Sequence, residues 1–196
     1  MTNIAALKIA NARRWQEMKV RPELVATIDR VAARLAAPDA KAHYAKVAGL
    51  THVPWFIIAV IHEREASQSW KANIAQGDPW NTKSRHVPKG RGPFKSWDEA
   101  AVDALTNCGP YAARWTDWTA GGALTLLEQY NGLGYANRSL PSPYIWASTD
   151  QYTRGKYVAD GRFDARAVDR QLGCAALIFR MATMDESVVF QTPATA

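Results

Sequence analysis

Between residues 4 and 49 the apolar positions recur at helical spacing. Ile4, Leu7, Ala10, Trp15 and Met18 predict an amphipathic helix over 4–18. Pro22 opens a second over 22–36, with Leu24, Val25, Ile28, Val31 and Leu35 on one face. Pro38-Asp39 marks a break, and a third covers 39–49 with Tyr44 and Val47 inward. The pattern then changes to a continuous apolar run, Val53 to Ile61, which breaks into His62-Glu63-Arg64-Glu65. Pro54 suits the first turn of a helix, where a missing N–H costs nothing. No turn signal intervenes before Gln68, and the segment is longer than a typical strand. It therefore predicts a helix from Val53 to Gln68. Its first three turns are apolar on every side, so it is expected to be a buried central helix.

From Asn73 to Phe94 helical spacing disappears and Gly, Pro, Asn and Ser dominate. This predicts a long loop, with room for a short hairpin, of the kind often tied to function. Ser96-Trp97-Asp98-Glu99 has capping-box spacing and opens a helix over 97–107, which makes Asp98 and Glu99 capping residues. A helix or turn follows Pro110 through Trp115, and Thr119 caps a helix over 120–130. Residues 139–162 read as loop, rich in aromatics that suit a cleft wall or small lobe. An apolar helix over 168–184 closes the pattern, and 186–196 reads as a flexible tail. No repeat, low-complexity tract or linker divides the chain. The expectation is a mainly α single domain, with residues 1–38 packing on it as N-terminal helices and with long cleft-lining loops.

Composition sharpens this in three respects. The chain has 196 residues, 47% of them hydrophobic, enough for one sizeable core. Eight Trp and seven Tyr serve both a core and a groove in which flat rings stack on a ligand. The formal charge of +6 suits an anionic partner: peptidoglycan with its wall polymers, a membrane surface or nucleic acid. The charges are scattered, which argues against nucleic acid. The N-terminus lacks the apolar core of a signal peptide, and no apolar run is long enough to insert stably in a membrane.

The candidate chemistry lies where the buried helix ends. Glu63 and Glu65 are roughly 200° apart around a helix and cannot share a face. The helix dipole and apolar surroundings both disfavour a carboxylate there, which raises its pKa and suits it to general-acid work. The competing reading is an ordinary glutamate neutralised by Arg64 or another cation. Asp78, in Gly77-Asp78-Pro79-Trp80, is either a turn-stabilising residue or a second site carboxylate. His86 reads as a loop hydrogen-bonder, and His43 and His52 as structural or solvent-facing. Tyr130-Asn131-Gly132-Leu133-Gly134-Tyr135 offers rings, an amide and close backbone approach, as a sugar subsite does; an ordinary helix C-cap at Gly132 is the alternative. His62-Glu63 is not a zinc motif, since the second histidine would fall on Ala66. Cys108 and Cys174 lack metal-site spacing or a local partnered base, and whether they pair depends on the compartment. No metal or cofactor is expected.

Four motifs in order, His62-Glu63-Arg64-Glu65-Ala66-Ser67, Gly77-Asp78-Pro79-Trp80, His86-Val87-Pro88-x-Gly90-Arg91-Gly92-Pro93 and Tyr130-Asn131-Gly132-x-Gly134-Tyr135, carry a resemblance. Over roughly residues 40 to 180 the chain resembles phage and prophage endolysins of the lysozyme-like superfamily, which is similar to goose-type lysozymes and soluble lytic transglycosylases. The resemblance implies a lysozyme-like fold and cleavage of the β-1,4 bond between N-acetylmuramic acid and N-acetylglucosamine. It places the catalytic acid at Glu65, with Glu63 second. Ala66 departs from the serine expected in many relatives. Asp78 becomes the candidate second carboxylate, and His62, Trp80, Tyr130, Asn131, Gly132 and Tyr135 the substrate-binding residues. The implied partner is the peptidoglycan glycan strand, met by a monomer made in a bacterial host cytoplasm and released to the wall at lysis. Two alternatives stand beside hydrolysis: a lytic transglycosylase giving 1,6-anhydro products, and a non-catalytic peptidoglycan-binding module on the same scaffold.

Overall fold

The computed structural model describes residues 2–193, and the described chain is mainly α, with eight α-helices and one two-stranded sheet. The helices are α1 (Ile4–Glu17), α2 (Val25–Leu35), α3 (Pro38–Thr51), α4 (Trp55–Ala66), α5 (Trp97–Asn107), α6 (Ala120–Asn131), α7 (Pro143–Trp146) and α8 (Cys174–Ala182). Local chemistry sets most of their starts. Asn3 caps α1 by accepting from the Ala6 N–H, Thr119 caps α6 by accepting from Gly122, and Pro38 stands in the first turn of α3. Ser96 caps α5 by accepting from Glu99 N, while the Glu99 carboxylate reaches past the cap to Lys95 N.

Helix α4 is the predicted central helix. Every residue from Phe56 to His62 is buried. It packs on α3 and α8, while α2 lies along α8 and α1 along α6. It ends at Ala66, short of Gln68, because Ser67 (φ 49°) and Gln68 (φ 56°) are left-handed. Their N–H groups return to Glu63 and His62 carbonyls, closing the last turn without glycine.

Other expectations are corrected as well. The second helix begins as a 3₁₀ turn, Pro22–Leu24, before α2. The 139–162 stretch is not all loop: it holds α7, whose Trp146 is fully buried, and part of an antiparallel hairpin of β1 (Lys156–Ala159) and β2 (Arg162–Asp164). The last helix starts only at Cys174, because Gly173 is extended and packs against the Ile145 and Ala147 carbonyls. The tail is docked as far as Gln191. Val188 is buried, Phe190 stacks edge-on against Trp15 and Phe56, and Gln191 exchanges hydrogen bonds with Trp118. Apolar residues late in the tail outweighed its polar look; residues 194–196 lie outside the described chain. The 73–94 stretch contains no hairpin, only a bridge between Ala72 and Pro79 at its start. Asp98 is not a simple capping residue either. It is buried and gathers His43 Nδ1 (2.6 Å) and Lys46 Nζ (2.8 Å). Among the described residues no single helix is long and apolar enough to cross a membrane.

Helices α1 and α6 meet closely because Gly121 has no side chain. A Cβ there would lie 2.5 Å from the Lys8 carbonyl oxygen and 3.0 Å from the Ala12 Cβ. Behind it, buried Asn11 donates to buried Thr125 at 3.1 Å. Gly49 in α3, by contrast, is exposed and has nothing within 4 Å of its Cβ position. The two glycines should therefore respond oppositely to alanine. Gly49→Ala is expected to stabilise by up to about 1 kcal/mol through helix propensity. Gly121→Ala should destabilise by roughly 1–3 kcal/mol despite the same propensity gain. Urea unfolding of both variants checks this, and equal shifts of one sign would contradict the close crossing.

Candidate active site

Glu63 and Glu65 leave α4 in opposite directions, as their spacing requires. Glu63 meets Arg34 of α2 at 2.8 Å. Glu65 turns inward, where its Oε1 accepts a hydrogen bond from the Tyr144 hydroxyl of α7 at 2.9 Å. Burial pushes the Glu65 carboxyl up to about 7, against the opposing pull of the Tyr144 hydroxyl and the Arg64 charge. Arg64 does not neutralise either glutamate as a direct partner. Its guanidinium lies 4.7 Å from the centre of the Tyr144 ring, bonds Asp169 at 3.1 Å and donates to the Leu172 carbonyl.

A groove of about 580 Å³ opens beside this cluster. Its wall combines Arg64 and Tyr144 with Asn131, Gly132 and Tyr135 after α6, the β-hairpin with Lys156, and Asp169 and Gln171. Glu65 is not itself a lining residue; Tyr144 joins it to the groove, ring on the wall and hydroxyl on the acid. The Tyr135 hydroxyl accepts from Tyr157 N at 3.0 Å and so holds the hairpin in place. Asp169 is almost fully buried and collects Arg64, Lys156 (3.2 Å) and the Gln171 N–H. These partners hold its carboxyl below the usual range in spite of burial.

Of the residues singled out from sequence, the structure gathers Glu65, Asn131, Gly132 and Tyr135 around this region. Tyr130 stands behind them, its hydroxyl donating to the Ile74 carbonyl at 2.8 Å and tying α6 to the loop after α4. Gly77 brings that loop onto the end of α4: its φ is 74°, and a Cβ would lie 3.2 Å from the Glu65 carbonyl oxygen.

Three assignments do not fit. His62 has no accessible surface, so it lines no cleft. Its Nε2 faces the Ser69 carbonyl at 3.0 Å, which makes it the donor, and Nδ1 then accepts from the Tyr44 hydroxyl at 3.0 Å. Burial lowers its pKa to about 4, so the ring is neutral. Asp78 has both oxygens committed to its own loop: Oδ2 accepts from Arg85 N and His86 N, and Oδ1 lies 2.7 Å from His86 Nδ1. The His86 and Arg85 amides hold its carboxyl below the usual range, the wrong direction for a base. The turn-organising reading is the one its bonds match. Trp80 packs toward the core with its ring N–H on the Trp70 carbonyl.

Tyr144, Asp169 and Lys156 were not singled out as chemistry. The aromatics of 139–162 signalled a wall, but nothing local pointed to a hydroxyl on Glu65. A fully buried acid, Glu128, carries no motif in the sequence. It sits on α6 near Asn11 and Arg14, and burial pushes it up to about 7. Cys108 and Cys174 are free and buried; burial pushes the Cys174 thiol up to about 12, so it is no nucleophile near neutral pH. Among the described residues no cluster of His, Cys, Asp and Glu could hold a metal ion. No protein-family model, characterised protein or solved structure matches this chain.

The raised Glu65 pKa makes stability depend on pH. The folded state holds the proton more tightly than the unfolded chain, whose glutamate titrates near ~4.3. The stabilising contribution is complete below that value and is lost as pH rises through about 7. Glu65→Gln removes it, so the variant should gain on wild type by up to about 3 kcal/mol between pH 4 and pH 8. Glu128 titrates in both proteins and cancels. A stability difference flat with pH, in urea unfolding, would mean that Glu65 titrates normally.

Proposed function

We propose that the protein is a peptidoglycan-cleaving glycosidase on a lysozyme-like scaffold, with Glu65 as general acid at the β-1,4 bond between N-acetylmuramic acid and N-acetylglucosamine. The observation that carries this reading is Glu65 itself: a carboxyl at the end of a buried helix, with a pKa near 7, oriented by one hydroxyl beside a groove. The four motifs that resemble phage endolysins support the same reading and, with it, action on the wall after release from a host cytoplasm.

Tyr144 donates to Oε1, so in the neutral acid Oε1 is the carbonyl oxygen and the proton rides on Oε2. Transfer to the glycosidic oxygen leaves a carboxylate, and the Tyr144 bond becomes charge-assisted and stronger. That gain appears only as charge develops, which is the kind of interaction that lowers a barrier. The positive Arg64 behind the Tyr144 ring acts in the same sense.

Protonation leads to an oxocarbenium-like transition state, after which water or an internal hydroxyl must attack. Of the other carboxylates of this region, Glu63 has Arg34, Asp78 its loop and Asp169 both Arg64 and Lys156, whereas Asp160 of the hairpin turn lines the groove, exposed and without an ion pair among the described residues. Two branches follow: Asp160 is the groove carboxylate that could serve a hydrolytic water, whereas in the transglycosylase branch the substrate's own C6 hydroxyl attacks, its proton passes to the Glu65 carboxylate and no second carboxylate is needed.

Mass spectrometry of fragments released from purified peptidoglycan tests both steps. Glu65→Gln is expected to lower release by 10²- to 10⁴-fold, with Glu63→Gln near wild type. Fragments ending in 1,6-anhydro-N-acetylmuramic acid would mean transglycosylation; reducing ends would mean hydrolysis. Wall binding without any released fragment would sink the enzyme reading in favour of a binding module. Tyr144→Phe should move the alkaline limb of the pH–rate profile upward, because the hydroxyl that lowers the Glu65 pKa is gone.

A further inference from the structure

The 84–91 loop is braced like a site although the groove does not use it. Its neck is closed by Ser84 and Arg91. Ser84 N donates to the Arg91 carbonyl at 2.9 Å, and Arg91 N donates back to the Ser84 hydroxyl at 2.9 Å. The Ser84 hydroxyl in turn donates to the Pro88 carbonyl at 2.7 Å, and Gly90 N to the Ser84 carbonyl at 3.0 Å. Asp78 holds the other side through Arg85 and His86, and Arg91 anchors the whole to Asp103 of α5.

This scaffold presents an apolar tip. Val87 is 78% exposed, the highest value among the exposed large hydrophobic residues described. A lone exposed valine is ordinary. What sets it apart is three cations within four residues of it: Lys83, Arg85 and Lys89 are all exposed, and none makes an ion pair among the described residues. The nearby acids, Asp78 and Asp103, are consumed by His86 and Arg91. The loop is thus a rigid apolar point ringed by free cations.

We propose that this loop docks the protein on an anionic phospholipid surface, with Val87 entering the interface and Lys83, Arg85 and Lys89 meeting phosphate headgroups. Cations alone would suit any polyanion. The apolar tip gains where a hydrocarbon boundary lies behind the anionic groups, and the bracing lowers the ordering cost of presenting it. The contact is peripheral and stands independently of the assignment of Glu65.

The test is co-sedimentation of the full chain with vesicles of phosphatidylglycerol and phosphatidylethanolamine, against vesicles of phosphatidylcholine alone. Wild type should bind the anionic vesicles, lose binding at high salt, and ignore phosphatidylcholine. Each of Lys83→Gln, Arg85→Gln and Lys89→Gln should weaken binding roughly fivefold, and the three together about a hundredfold. Val87→Ser should weaken it severalfold without changing binding to soluble polyphosphate. These side chains make no bond within the fold, so circular dichroism should be unchanged. Absence of binding to anionic vesicles, or equal binding by the triple variant, would overturn the proposal. Polyphosphate bound as tightly as vesicles, with no effect of Val87→Ser on either, would also overturn it in favour of a generic polyanion site.

Discussion

Half-burial of a carboxyl at the end of a helix whose first turns have no polar face is the constraint on which this structure turns. An α4 that is apolar all round cannot lie on a surface, so α3, α8 and the segments before α5 must enclose it. Enclosure carries the first ionisable residues after the apolar run to the inner limit of solvent. A neutral Glu65 there costs little, whereas an ionised one must be stripped of water beside the negative end of a helix dipole. Each fully buried isoleucine of α4 contributes on the order of 1.5–3 kcal/mol. The helix therefore outweighs the few kcal/mol that an ionised Glu65 would cost, and the fold keeps a group that disfavours its own charge.

Neighbouring residues of the same helix meet quite different fates. Glu63 faces α2 and a guanidinium, Glu65 faces a tyrosine hydroxyl, and Arg64 between them reaches Asp169. The Arg64–Asp169 pair is nearly solvent-free, with side chains 5% and 4% exposed. A buried pair of this kind adds little net stability over an apolar substitute, but losing one member leaves an unpaired charge. Its effect is geometric. It pins the segment before α8 to the end of α4 and lays a flat cation on the Tyr144 ring, so the residue that touches Glu65 is held from two sides.

How much of this was legible follows from the range of each signal. The buried helix was legible because nine successive apolar residues admit few alternatives, and spacing put Glu63 and Glu65 on different faces, but the choice of Glu65 came from the resemblance alone. The capped starts of α5 and α6 were legible for the same local reason. Tyr144 was not, since a contact spanning 79 positions leaves no local trace. His62, a substrate-binding residue by the resemblance, instead points into the Tyr44, Trp70 and Trp97 cluster, contacts that no local pattern marks. The tail misled because its polar ends concealed Val188 and Phe190, whose burial depends on Trp15 and Phe56 from elsewhere in the chain.

The carboxylates also divide by what they accept. Asp78 takes two backbone amides and an imidazole, Asp98 an ammonium and an imidazole, and Asp169 two cations and an amide. Each such donor favours the ionised form, so these acids are pulled down and hold loops or helices in place. Glu65 has one hydroxyl and an indirect cation, which is enough to orient it but not enough to ionise it. A carboxyl that is aimed and yet under-solvated keeps its proton and holds it at a defined oxygen. That combination, more than the presence of an acid in a groove, separates Glu65 from the better-paired carboxylates around it.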